Sequence, residues 1–224
     1  VKQAQGSDRV VPMSAREMLR SNSDAPVETQ SNLAVKPQVM DAVLPGLASV
    51  VGPQTTVVSV AAGKTIASLE GHLGKAAMVR AMPNTPAMVG RGVTGAYANA
   101  AVTDVQRDIV HRLLQVSGPV EWVDSEADIN AVTALSGSGP AYVFYLVECM
   151  AEAGRKAGLP ADLAMRLARE TVAGAGELLH QSPDPASQLR KNVTSPGGTT
   201  AAALSVLVAG HMIDRLGVRR TTMV

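Results

Sequence analysis

TTVVSVAAGKTIASLEGHLGKAAMVRAMPNTP, residues 55–86, sets two short aliphatic runs on either side of an amphipathic stretch. TTVVSVAA and AAMVRAMP read as strands and TIASLEGHLG as a short helix between them, and strand, helix, strand is the signature of a parallel α/β sheet. The pattern extends in both directions. Before it lie LAV (33–35) and the helical PQVMDAVLPGLASVV (37–51); after it come VTGAYAN (93–99), the helical TDVQRDIVHRLLQVSG (103–118) and PVEWV (119–123), which continue the sheet to about Val123. Residues 1–32 are polar and aperiodic and read as poorly ordered.

From about Asp124 the strand-like runs disappear. PAYVFYLVECMAEAGRKAG (140–158) and LPADLAMRLARETVAGAGELLHQ (159–181) are long helical patterns rich in Ala and Gly, the second with Pro160 and Asp162 at its opening. Such small residues allow close helix packing. Residues 124–224 carry more apolar helix surface than a domain of that length can bury alone, so the expectation is an all-helical domain that pairs as a homodimer or higher oligomer. The predicted class is α/β, a parallel-sheet domain over 33–123 followed by a helical domain over 124–224.

Composition narrows the function. A 224-residue chain with 46% hydrophobic and 17% charged residues is expected to fold. A formal charge of +1 and 2% aromatics give no basic footprint and no stacking platform, so nucleic acid is not an expected partner. No apolar run is long enough for a membrane span, and the start VKQAQGSDRV has no signal-peptide core. Cys149 is the only cysteine, which excludes an intramolecular disulfide, suits a cytoplasmic setting and reads as a core residue of its helix. His72, His111, His180 and His211 lack ligand spacing, so no metal is expected, and there is neither a G-x-S-x-G elbow nor a phosphate-binding G-x-x-x-x-G-K-[ST] loop.

The chemistry is sought in turns. Three strands run into Lys36-Pro37-Gln38, Ala61-Ala62-Gly63-Lys64 and Pro83-Asn84-Thr85-Pro86; if the strands are parallel, these turns share the carboxyl edge, where open α/β sheets bind ligands. ALSGSGPAY (134–142) reads as a helix start capped by Ser138 with Pro140 in the first turn. NVTSPGGTT (192–200) allows two readings. One is an N-cap by Ser195 or Thr194 with Pro196 in the first turn; the other is a site for a small carboxylate at a helix start, with glycines allowing close approach.

LAVKPQ, VRAMPNTPAMVGRG, SEADINAVTALSGSGPAYVF (125–144) and NVTSPGGTTAAAL together resemble pyrroline-5-carboxylate reductase, over about residues 33–208. The resemblance implies reduction of 1-pyrroline-5-carboxylate to L-proline by hydride from NADPH or NADH, with residues 33–123 the C-terminal part of a Rossmann-like dinucleotide-binding domain. It also implies site residues. Ala34, Val35, Lys36 and Pro37, then Ala61, Ala62 and Gly63, and Asn192, match positions beside the cofactor; Glu126, Thr199 and Thr200 match positions at the substrate. On that basis Ser195, Gly197 and Gly198 complete the substrate loop, the amides after Pro196 hold the carboxylate, Thr200 orients the ring nitrogen and Glu126 stabilises a protonated imine.

Two departures stand beside the resemblance. Residues 1–32 contain no G-x-G-x-x-G type turn, and GHMIDRLGVRRTTMV after SVLVA replaces the family's usual final helix. The expectation that follows is weakened cofactor binding, with a silent dimerising fragment as the rival to the active enzyme.

Overall fold

The two runs flanking TIASLEGHLG pair directly, in parallel, as read. The computed structural model of the chain describes residues 30–33, 37–201 and 203–204. Strand β1 (Gln30–Leu33) is followed by helix α1 (Pro37–Leu47), β2 (Thr56–Ser59), α2 (Ile66–Leu73), β3 (Ala77–Pro83), β4 (Thr94–Ala98), α3 (Asp104–Leu114) and β5 (Val120–Trp122). Then come α4 (Asp128–Val132), α5 (Gly139–Lys156), α6 (Ala161–Gln181) and α7 (Ala186–Asn192). Two compact units are formed, Val1–Phe144 and Tyr145–Val224.

In the first unit the strand order is β1-β2-β3-β4-β5. Alternation along β2 and β3 divides the core. Val57 and Met78 face Met40 and Leu44 of α1 and Ile66, Leu69 and Leu73 of α2; Val58, Val79 and Ala81 face the other way, toward Ala96, Val110 of α3 and Val120. Covering both faces explains why these strands are continuous apolar runs rather than alternating ones. Each of the Val, Ile, Leu and Met side chains among them contributes roughly 1.5–3 kcal/mol by leaving water.

Four expectations need correction here. β4 runs antiparallel to β3, with Arg80 opposite Tyr97, and β5 is parallel to β4, so the sheet is mostly parallel, with the β3–β4 pairing the antiparallel one. The connection from Pro83 to Thr94 holds only a 3₁₀ turn, Thr85–Val89, and without a crossover helix the next strand must return antiparallel. Gln30–Asn32 were expected to be poorly ordered but pair with Thr56–Val58; backbone pairing at a sheet edge does not require apolar side chains. The rest of the expected irregular segment lies outside the described residues.

Ser138 closes the turn before α5 and is not the cap of that helix's start. Its dihedral angles are helical, φ −87° and ψ −20°, and its amide donates to Thr133 O at 2.8 Å, closing a π-helical turn over Thr133–Gly137. Pro140 accounts for the wide turn, because its ring would clash with the carbonyl four residues earlier in a regular helix. Cys149, expected in the core, is exposed. In the second unit the buried side chains on α5 and α6 are Ala151, Ala164 and Ala168, while Tyr145, Leu146, Leu167, Leu178 and Leu179 remain 49–67% exposed. Small residues bring the helices close, as read: a Cβ placed on Gly154 would meet Ala164 Cβ at 3.1 Å. The larger apolar side chains therefore point outward, and Cys149 goes with them.

Candidate active site

The carboxyl end of β2 lies beside the middle of β3, with Ser59 next to Arg80. From Ser59 the chain turns through Ala61, Ala62 and Gly63 into α2. Ala61 is buried and its amide donates to Ser59 Oγ at 3.3 Å, whereas Ala62 and Gly63 are exposed. Gly63 has φ +75° and a Cβ there would meet nothing, so the turn needs glycine for its backbone conformation and not for space. Thr65 caps α2 by accepting from Ser68 N at 3.1 Å.

The first amide of α2 has a distant partner. Ile66 N donates to Glu126 Oε1 at 2.7 Å, and Arg80 Nη1 donates to the same oxygen at 2.8 Å. Glu126 is brought there by α4, which packs against β3 and β4 with Ile129 1% exposed. Gly95 permits this close approach, since a Cβ on it would lie 2.5 Å from Val132 Cγ1. Thr133 Oγ1 and Ser136 Oγ donate back to Ile129 O and Val132 O at 2.7 and 3.1 Å, holding the wide turn that follows. On the third turn, Asn84 Oδ1 accepts from Val93 N at 3.0 Å and closes the loop that carries Pro83 and Pro86.

In the second unit, α7 ends at Asn192, whose Oδ1 accepts from Gln188 Nε2 at 2.8 Å. Neither cap reading of the next segment holds. Thr194 Oγ1 donates back to Arg190 O at 2.6 Å, and Ser195 to Gly198 form a β-turn, with Gly198 N donating to Ser195 O at 3.1 Å and Gly197 at φ +70°. Proline followed by glycine at the two centre positions favours this turn over a helix start. Helix begins at Thr199 and includes Thr200. Ser195, Gly197 and Thr199 are exposed; Gly198 and Thr200 are half-buried.

The family model described as pyrroline-5-carboxylate reductase dimerisation matches residues 126–216. A pyrroline-5-carboxylate reductase of Pseudomonas aeruginosa is 45% identical over 192 residues, which cover 85% of this chain and 70% of that relative. The chain belongs to the pyrroline-5-carboxylate reductase family. Solved structures agree. The pyrroline-5-carboxylate reductase from Coxiella burnetii matches with a TM-score of 0.76 at 40% identity, covering 83% of this chain and 69% of that one. That from Plasmodium falciparum, which has NADP bound, matches with a TM-score of 0.71 at 33% identity, covering 82% and 70%.

Within this pyrroline-5-carboxylate reductase chain the residues picked out in the sequence fall into two groups. Glu126 meets the start of α2, the helix that follows the Ala61–Gly63 turn, through Ile66 N, and Asn192, Ser195, Gly197, Gly198, Thr199 and Thr200 follow one another from the end of α7 into the next helix. Pro37 starts α1; Ala34, Val35 and Lys36 lie outside the described residues. Ala62 and Gly63 are exposed and carry nothing larger than a methyl, so their main chain is open to a flat group, and a nicotinamide dinucleotide fits that chemistry. Among the described residues no cluster of His, Cys, Asp and Glu is arranged to hold a metal, and no helix is long and apolar enough to cross a membrane.

Sequence reading missed Arg80. A lone charge inside AMVRAMP is its signal: with its side chain only 5% exposed, the guanidinium needs a paired acceptor, and Glu126, 29% exposed, supplies it. With Arg80 Nη1 and the first amide of α2 both on Oε1, much of the Glu126 charge is offset.

Proposed function

We propose that the protein reduces 1-pyrroline-5-carboxylate to L-proline, with NADPH or NADH as the hydride donor. The observation that carries this is the 45% identity to the Pseudomonas aeruginosa reductase over 192 residues, supported by the open small-residue turn at the carboxyl edge of the parallel strands. When bound, the dinucleotide supplies the hydride, and the C=N bond becomes C–N as its carbon gains that hydride and its nitrogen holds a proton. Ala34, Val35, Lys36, Pro37, Ala61, Ala62, Gly63 and Asn192 line the cofactor in this reading.

The chain's own residues bind and orient the substrate. Gly197 and Gly198 let the ring approach the main chain, and Ser195 and Thr199 flank it. The amide of Gly198 is already engaged with Ser195 O, so the substrate carboxylate falls to the amides of Thr199 and Thr200 at the helix start. Thr200 is the catalytic residue of the proposal, its hydroxyl fixing the ring nitrogen in line for reduction. Glu126 accepts from the protonated nitrogen. The dimerisation match over residues 126–216 and the exposed apolar faces of α5 and α6 support a homodimer or larger assembly, with a small molecule and not nucleic acid as ligand, and the lone cysteine suits the cytoplasm.

Purified full-length protein should oxidise NADPH or NADH only when 1-pyrroline-5-carboxylate is present, forming one proline per cofactor consumed. Folded protein that yields no proline with either cofactor overturns the reading.

A further inference from the structure

We propose that Arg80 is a positioning residue of this site: it holds Oε1 of Glu126 against the first amide of α2 and so fixes where the carboxylate's other oxygen meets the substrate nitrogen. The proposal rests on the reading of Glu126 as a substrate contact given above.

Three observations carry it. Arg80 is a charged side chain in a strand whose neighbours Val79, Ala81 and Met82 are all buried, and its guanidinium is itself 5% exposed. Charge in such a place is costly unless paired, and Arg80 is paired with the carboxylate of Glu126. Both donors converge on one oxygen. Ile66 N lies 2.7 Å and Arg80 Nη1 2.8 Å from Oε1, which restricts the rotation that a glutamate held by one donor would keep; both of these donors are on Oε1, and in this proposal Oε2 is given to the ligand. The same contact joins the Ala61–Gly63 turn, through the start of α2, to the segment that leads into α4. Arg80 thereby couples the place of the cofactor turn to the place of the substrate contact. Purely structural pairing would stabilise the sheet without this effect on kinetics, and the two roles are separable by experiment.

The experiment uses full-length protein carrying Arg80→Met, Arg80→Lys, Glu126→Gln or Arg80→Met with Glu126→Gln. Melting temperature, NADPH affinity by fluorescence titration, and steady-state proline formation with KM and kcat are measured for each. Arg80→Met should lower kcat/KM for 1-pyrroline-5-carboxylate by about tenfold or more per folded molecule, while NADPH affinity changes by less than about threefold. The double variant should be about as impaired as Glu126→Gln alone, because two residues acting through one contact are not additive. Arg80→Lys, which keeps the charge and loses the fork, should recover part of the loss. Wild-type kcat/KM in Arg80→Met, losses that multiply in the double variant, or a loss borne wholly by NADPH affinity overturns the proposal. Should Arg80→Met not fold, Arg80→Lys paired with Glu126→Gln gives the same cycle. Wild-type protein that forms no proline removes the reductase reading itself, and that result is seen before any variant is compared.

Discussion

Thr200 and Gly197 show how differently two neighbouring residues contribute. Gly197 sits at φ +70° in the centre of a turn, where Gly197→Ala forces an L side chain into the left-handed region at a cost of roughly 1–2 kcal/mol. Thr200 is already inside the helix that begins at Thr199, so its hydroxyl is not the cap of that helix. Thr200→Ala should therefore leave the melting temperature nearly unchanged and lower kcat by perhaps 10- to 1,000-fold, roughly 1.4–4 kcal/mol of barrier, with NADPH affinity preserved. Steady-state kinetics beside thermal melting checks this. A variant with normal turnover removes Thr200 from the mechanism and leaves the work to the helix-start amides and Glu126. Arg80 was visible in the sequence only as an unexplained charge; its partner lies 46 positions away, and no local rule connects them.

At the scale of elements, α4 decides where Glu126 stands. This helix is too short to be stable by itself, Asp128–Val132, so its place is set by Ile129 in the core and by contact with the bare backbone of Gly95. Gly95→Ala puts a methyl 2.5 Å from Val132 Cγ1, which pushes α4 away from the sheet. The expected result is a loss of about 1–3 kcal/mol in stability together with weaker substrate binding. Denaturant unfolding and KM, measured on the same preparation, check it; lost stability with an unchanged KM separates α4 from the placement of Glu126. Gly118→Ala is the contrast. There a Cβ would lie 1.9 Å from Gly92 O at φ +138°, on the loop before β5 and against the Gly92 main chain, not against α4, so it should destabilise without changing the KM of the molecules that remain folded.

For the whole molecule, exposed apolar surface is the dominant feature of the second unit. Tyr145 at 67%, Leu178 at 56% and Leu179 at 50% are exposed on helices whose buried contacts are alanines. Apolar faces of this kind mark an interaction surface, and closed pairing of identical chains would cover them. Full-length protein at micromolar concentration should sediment as a dimer or larger species, and Tyr145→Glu with Leu178→Glu should shift it toward monomer or insoluble material. A folded wild-type monomer at that concentration contradicts this account of the helical unit.

Local pattern was enough to recover the strand and helix order from β2 to β5, the two long helices α5 and α6 and the small-residue packing between them, because period and length are properties of neighbouring residues. The match of SGSGPAY and SPGGTT also named the family. Packing in space was needed for the rest. The exposure of Cys149 and the capture of Glu126 by Arg80 depend on which surfaces meet, and meeting is fixed by contacts between residues far apart in the chain. Periodicity states which face of an element is apolar; the partner of that face, and the charge waiting on it, come from the fold.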